Sequence, residues 1–270
     1  MSILPSILIF ALGFHAHASK DPNDCLQELL ARSIQKNVYS RADIGATNDR
    51  SWQTYRQTLA FRWHDWNGKK LIIDLGAGQG VAMKEAVESG AFERAVAIDF
   101  HDHTEAGHWM ITETEVLHRV VYEQGAAETI LPKYFSAADV IVDNYGAFTY
   151  SSARLHLLES AYRALRPGGR AYIRTPPVAF VLQPDRTLIP LGEYLSKKYP
   201  KFFSVRFNES WTSQRSLHHE MVGAHQVLIM TRSKSDPFPR LTLTVEQEYF
   251  WTHPQDKQMK FPVVIYRREP

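Results

Sequence analysis

Asp74-Leu75-Gly76-Ala77-Gly78-Gln79-Gly80 is the stretch on which the fold turns. It continues Leu71-Ile72-Ile73, an apolar run of the kind buried in a parallel strand. It precedes Val81 to Ser89, patterned as a helix with Gly90 placed to close it. Glycines at such a bend let the backbone approach a ligand and take positive φ without strain. The helix that follows offers N–H groups with no intrahelical partner at the same place. A dinucleotide loop of the G-x-G-x-x-G type needs glycine at position 81, where Val81 stands. The spacing is instead G-x-G-x-G, led by an acid within the strand, which excludes a nicotinamide or flavin dinucleotide site.

Working outward, Arg94 to Phe100 reads as a second strand with Asp99 near its end. Strand, glycine bend, helix, strand is the opening of a doubly wound sheet. The alternation goes on with strands at Arg119–Tyr122 and Asp139–Asp143. A helix follows, capped by Ser151 or Ser152 and carrying a stripe of Leu155, Leu158, Tyr162 and Leu165. Pro167-Gly168-Gly169 is expected to end that helix before a strand begins at Ala171. Further on come a helix over Leu191–Tyr199 and strands at Phe203–Phe207 and Gln226–Thr231. Leu241–Phe250 alternates at period two, and Phe261–Tyr266 is its candidate hairpin partner. The expected fold is α/β, Rossmann-like and doubly wound: a mostly parallel sheet with helices on both faces and antiparallel strands at the C-terminal edge. In this reading residues 69–235 form that domain and residues 236–270 a strand extension packed on it.

The first 68 residues read differently. Ile3 to Phe14 is apolar and is followed by Ala16-His17-Ala18, the pattern of a secretory leader with its cleavage site. No Lys or Arg precedes the run, so a helix packed on the domain, or a start further along, stays open. Residues 1–18 are therefore read as a signal peptide or apolar leader. The chain is exported or periplasmic if the leader is cleaved and cytoplasmic if it is not, with no transmembrane span in the mature chain. Residues 19–68 form a helical segment, with helices at Asp24–Ile34 and Ser51–Trp66, the second carrying Trp52, Tyr55, Leu59 and Trp63 at helical spacing.

Composition narrows the function classes. The 270 residues are 44% hydrophobic and 22% charged, enough apolar content for a packed core and too much for a disordered chain. A net charge of +2 gives no general attraction for nucleic acid. The single cysteine, Cys25, excludes an intramolecular disulfide and a Cys-rich zinc site. His101-Asp102-His103, with His108 nearby, reads as a polar loop, and no metal is expected.

With these pieces in place the sequence resembles the class I S-adenosylmethionine-dependent methyltransferases. The resemblance rests on Asp74 to Gly80, Ala97-Ile98-Asp99, Gly125-Ala126-Ala127-Glu128, Ala138 to Asp143 and Ala164 to Gly169, in the family's order and spacing. It implies S-adenosyl-L-methionine as cofactor, with its methyl group passing from the sulfonium to an acceptor by in-line displacement and the thioether leaving. Asp74, Gly76, Ala77, Gly78 and Gly80 would line the methionine and ribose portion, Asp99 would hold the ribose hydroxyls, and Phe100 would flank the adenine. Many members carry an acid directly after the third-strand glycine. Here that position is Ala126, so the Ala127 backbone or Glu128 would serve the adenine. Asp143, Asn144 and Tyr145 sit where the fourth strand opens toward the methyl group, with Asp143 and Tyr145 as candidate catalytic groups. The acceptor is unidentified, a small molecule ahead of a protein. An aminopropyl-transfer relative and a non-catalytic nucleoside-binding protein are the alternatives.

Overall fold

The computed structural model describes residues 51–59, 68–100, 118–175, 178–207, 226–252 and 260–269. The leader, the Asp24–Ile34 helix, Trp63, the His101–His108 loop and Pro176-Pro177 lie outside the described residues.

The chain runs α1 (Trp52–Thr58), β1 (Lys69–Leu75), α2 (Val81–Glu88), β2 (Phe92–Asp99), β3 (Val120–Gln124), α3 (Ala127–Ile130), β4 (Ala138–Asn144), α4 (Ala147–Tyr150), α5 (Arg154–Ala164) and β5 (Leu165–Thr175). It continues with β6 (Ala179–Leu182), β7 (Leu188–Pro190), α6 (Leu191–Lys198), β8 (Phe203–Phe207), β9 (Gln226–Thr231), β10 (Leu243–Thr252) and β11 (Lys260–Arg268). Seven strands form one sheet in the order β3-β2-β1-β4-β5-β9-β8. Strands β1 to β5 are mutually parallel, and β9 runs antiparallel to both of its neighbours.

Two apolar layers flank the sheet. Trp52 and Tyr55 of α1, Ala82, Met83, Ala86 and Val87 of α2, and Ile72, Ala95, Val140 and Tyr172 from the strands make one. Ile73, Val96, Ile141 and Ile173 pack with Leu157, Leu158 and Ala161 of α5 and Leu191 and Leu195 of α6 in the other. Alternation along each parallel strand, each face buried under helices, produces the near-continuous hydrophobic runs read in the sequence. α1 is held by a Ser51 cap that accepts from Thr54 N and by Glu85, which accepts from Trp52 N at 2.7 Å.

The structure corrects two local expectations and adds a hairpin to a third. Ser151 and Ser152 do not cap α5: its N-cap is Ala153, and Ser151 Oγ accepts instead from Ala153 N in the turn just before the helix. Pro167-Gly168-Gly169 does not lie between α5 and a later strand. α5 already ends at Ala164, because Leu165 takes extended ψ, and the Pro-Gly-Gly run lies inside β5 where its pairing with β4 shifts register. The Leu241–Phe250 and Phe261–Tyr266 runs do pair, as β10 and β11. They build a second, four-stranded sheet with the β6–β7 hairpin, an element not expected from the sequence.

Arg154, fully buried at the start of α5, ties the second sheet to the first. Its Nε donates to the Phe148 carbonyl at 2.8 Å and its Nη2 to the carbonyls of Thr149 at 2.9 Å and Pro262 at 2.5 Å. Ser152 adds a bond to Glu248 of β10 at 2.6 Å. A buried guanidinium spread over three carbonyls satisfies groups that nothing else nearby would reach. Replacing it strands them: Arg154→Met is expected to cost about 3–5 kcal/mol in urea unfolding. Arg163→Met, which removes only the exposed pair with Glu159, is expected to cost under about 1 kcal/mol.

Candidate active site

Strand order reverses between β1 and β4: the chain winds to β2 and β3 on one side and to β4 and β5 on the other. In an open α/β sheet the crevice outside the carboxyl ends of the strands at that reversal is where ligands bind. The glycine bend leaves β1 at this place, and Asn144-Tyr145-Gly146 leaves β4 beside it.

The two bends touch backbone to backbone. A Cβ on Gly76 would lie 2.5 Å from Gly146 Cα, and one on Gly146 would overlap the Leu75 carbonyl oxygen. Gly76, Gly78 and Gly80 take φ of 81°, 56° and 75°, which fixes the requirement for glycine there. The N–H groups of Gly76 and Ala77 both donate to the Ile98 carbonyl, at 2.7 and 3.0 Å, so the bend folds over the end of β2. Gly78 N donates to Asp99 Oδ2 at 2.7 Å. The carboxylate at the tip of β2 and the glycine bend thus form one unit, with Asp99 and Phe100 partly exposed at its mouth. Gly125 N, at the end of β3, donates to the Asp99 carbonyl at 2.8 Å and brings the third strand's turn alongside.

Pleat and register place Asp99, Asn144 and Arg174 in a row, with Asp74 two residues further back on the same face of β1. Asp74, Asp99, Asn144 and Arg174 alternate with Ile73, Ile98, Asp143 and Ile173. They therefore share the α1–α2 face at the carboxyl ends of β1, β2, β4 and β5. Asp74 is fully buried, and Asn144 and Arg174 are 5% and 4% exposed. Arg174 Nη1 donates to Asn144 Oδ1 at 3.3 Å, and its guanidinium lies 4.4 Å from the centroid of the Tyr145 ring. Arg174 was not singled out from the sequence; an arginine inside the apolar Ala171-Tyr172-Ile173 strand was the available signal. Gly146 was also missed, although a glycine directly after a strand and a tyrosine is turn chemistry.

The two candidate catalytic groups are occupied in ways that define their chemistry. Asp143 faces away from the row. Its Oδ1 accepts from Gly146 N at 2.8 Å and its Oδ2 from Phe148 N at 2.7 Å, so both oxygens hold the turn and the start of α4. Tyr145 takes φ of 57°, a conformation a bulky residue adopts only when its surroundings impose it. Its N–H bonds the Arg174 carbonyl at 2.9 Å. Burial pushes its phenol up to about 12, against a smaller opposing effect of Arg174, so at neutral pH it is a proton donor.

Glu128 is buried and accepts from Ser151 Oγ, which places it against the start of α5. Desolvation raises its pKa well above the ordinary carboxyl value, opposed by the Ser151 bond and by His156 and Arg154. Among the described residues no group of three or more His, Cys, Asp and Glu is placed to hold a metal ion, and no helix is long and apolar enough to cross a membrane.

Two expectations follow. Gly146→Ala should destabilise the protein by about 3 kcal/mol or more, because the added methyl meets backbone that cannot rotate away; thermal unfolding reads this. For Glu128 the folded pKa is raised, so its stabilising protonated form is complete below the unfolded value and is lost as pH rises through the folded one. Glu128→Gln, which keeps the acceptor for Ser151, should therefore raise the melting temperature at pH 8 and flatten its decline above pH 5.

The sequence profile of the family described as "Methyltransferase domain" matches residues 73–173, from β1 through β5. A comparison with curated proteins finds no match. One similar solved structure is a complex between the Haloferax volcanii Trm112 methyltransferase activator and a protein assigned as a methyltransferase. It superposes with a TM-score of 0.53 at 17% identity, covering 75% of this chain and 99% of that one. An S-adenosylmethionine-dependent methyltransferase from Mesorhizobium loti gives a TM-score of 0.47 at 15% identity, over 67% of this chain and 98% of that one. The seven-stranded sheet wound about its reversal point is the fold these structures share, and the stretch of the chain that matches the methyltransferase-domain profile lies across the glycine bend, β2 and β4.

Proposed function

We propose that the protein transfers the methyl group of S-adenosyl-L-methionine to a small-molecule acceptor in the crevice between the Gly76–Gly80 and Asn144–Gly146 bends. The observation that carries this is the coupling of Gly78 N to Asp99 Oδ2 at 2.7 Å, which sets a carboxylate against a glycine bend at the sheet's reversal point. A ribose diol needs an acceptor of that kind, and the positive-φ glycines keep side chains out of the space beside it. The residues present suit the cofactor. Gly76, Ala77, Gly78 and Gly80 would line it, Asp99 would take the hydroxyls, and Phe100 would lie along the base. Glu128, turned toward Ser151, leaves the Ala127 backbone as the adenine contact on that side.

When bound, the cofactor supplies a methyl group already activated by its sulfonium. The chain's share is orientation and exclusion of water. Asp143 spends both oxygens on backbone amides, and Tyr145 keeps its proton to about pH 12, so neither is arranged as a general base at neutral pH. Tyr145 is set to donate, and Arg174 holds its ring and backbone in place. Asn144 and Arg174 are nearly closed to solvent, which favours entry of a small group over docking of a folded surface.

Gly78→Val is expected to abolish binding of S-adenosylhomocysteine in calorimetry and, because a β-branched residue is strained at φ of 56°, to lower the melting temperature as well. Asp99→Ala is expected to weaken that binding by about 1–3 kcal/mol, the scale of a lost charge-assisted hydrogen bond. Labelled methyl transfer to a component of a metabolite extract, lost in both variants, supports catalysis. Cofactor binding with no transfer to any component would instead support a binding protein, and unchanged affinity in both variants would remove the site.

A further inference from the structure

Asn144 is the last residue of β4 and lies in register with Arg174 near the end of β5. Arg174 Nη1 donates to Asn144 Oδ1 at 3.3 Å. A guanidinium has donors only, so this bond fixes the amide: the oxygen faces Arg174 and the NH2 group is turned away from it. Asn144 is 5% exposed, and its Nδ2 has no hydrogen-bond partner among the described residues. A donor this well buried without a protein acceptor is an exception that a ligand would explain. It stands one residue before Tyr145, in the bend that borders the crevice.

The carboxylates and the phenol around that donor are already engaged or keep their protons. Asp143 accepts from Gly146 N and Phe148 N with its two oxygens, and Asp99 accepts from Gly78 N. Asp74 is fully buried behind the row. Tyr145 keeps its proton to about pH 12. Among the described residues at the crevice, none is arranged to take a proton from an acceptor at neutral pH. A phenol or a protonated amine must give one up to attack, whereas a carboxylate is ionised from about pH 5 upward. A tertiary amine or a thiolate needs no base either. The first gives its one lone pair to the methyl group and the second is a weak hydrogen-bond acceptor, so both would leave the amide unpaired. A carboxylate has an oxygen for each task.

We infer that the methyl acceptor is a carboxylate, one oxygen of which accepts from Asn144 Nδ2 while the other attacks. The inference rests on the methyl-transfer reading and adds the substrate class to it. The attacking oxygen forms a C–O bond to the methyl carbon as the C–S bond breaks. The electron pair of that bond goes to sulfur, the sulfonium becomes a neutral thioether, and no proton moves. The product is a methyl ester.

The test uses the full chain, methyl-labelled S-adenosyl-L-methionine and a metabolite extract. The labelled product should release its label as volatile methanol in dilute alkali, and its rate of formation should be flat between about pH 6 and 9. Label stable to alkali, or a rate that climbs with pH across that interval, would overturn the carboxylate and leave methyl transfer standing. No labelled product at all would remove both. Asn144→Asp keeps an oxygen for Arg174 and puts an anion where the donor was. It should lower the yield of labelled ester about a hundredfold, the scale of a lost transition-state donor, with S-adenosylhomocysteine binding retained in calorimetry. A readout free of activity comes from protein carrying nitrogen-15 asparagine and saturated with S-adenosylhomocysteine. Acetate, succinate or benzoate should shift one side-chain NH2 pair in its proton–nitrogen spectrum, a pair missing from Asn144→Asp, and chloride at equal ionic strength should not. Equal ester yield in the folded variant, loss of its S-adenosylhomocysteine binding, or no shift with any of the three carboxylates would each overturn the inference.

Discussion

The contact of Gly76 with Gly146 is the constraint on which the rest depends. Where the winding of the sheet reverses, the chain leaves β1 and β4 side by side, and the two bends meet with no side chain between them. That closeness sets the distance between β1 and β4 at their carboxyl ends. It also forces the glycine bend to fold over β2, where the Ile98 carbonyl and the Asp99 carboxylate receive its N–H groups. On the other side it demands the turn at Asn144-Tyr145, which Asp143 secures with two hydrogen bonds and Arg174 secures with a carbonyl and a cation–π contact. The crevice is a consequence of two backbones that approach too closely for any residue but glycine.

The polar groups near this contact divide into those that hold it and those that face the crevice. Asp143, Glu128, Ser151 and Arg154 lie on the α5 side and are bonded to the backbone or to one another, so their charge is spent on the architecture. Asp74, Asp99, Asn144 and Arg174 lie on the other face, with Asp99 the most open of the four. The same two-residue alternation that buries Ile73 and Ile141 produces this division. Arg154 extends the supporting set to the second sheet, so β10 and β11 help fix the Phe148–Thr149 turn without reaching the crevice.

Much of this was legible in the sequence, for identifiable reasons. The glycine bend, Asp99 and the β4 strand are local patterns: apolar runs five or so residues long, glycines where φ must be positive, an acid where a strand stops. The expected row of parallel strands and the resemblance built on it agree with the sheet and with the methyltransferase profile. What escaped depends on partners distant in sequence. Gly146 matters because of Gly76, 70 positions earlier, and nothing in Tyr145-Gly146 names that partner. Arg174 reads as an exposed strand residue until β4 places Asn144 against it. Asp143 reads as a candidate catalytic group at a strand end, and only the fold shows two amides converging on it. The β6–β7 hairpin was hidden because its strands are short and β6 pairs with β11, more than 80 residues away.

The most direct measurement of the central claim is a crystal structure of the full chain with S-adenosylhomocysteine. The account requires the nucleoside to lie between the Gly76–Gly80 and Asn144–Gly146 bends with its ribose hydroxyls on Asp99. A ligand seated elsewhere on the sheet, or in that crevice with its ribose turned away from Asp99, would contradict it.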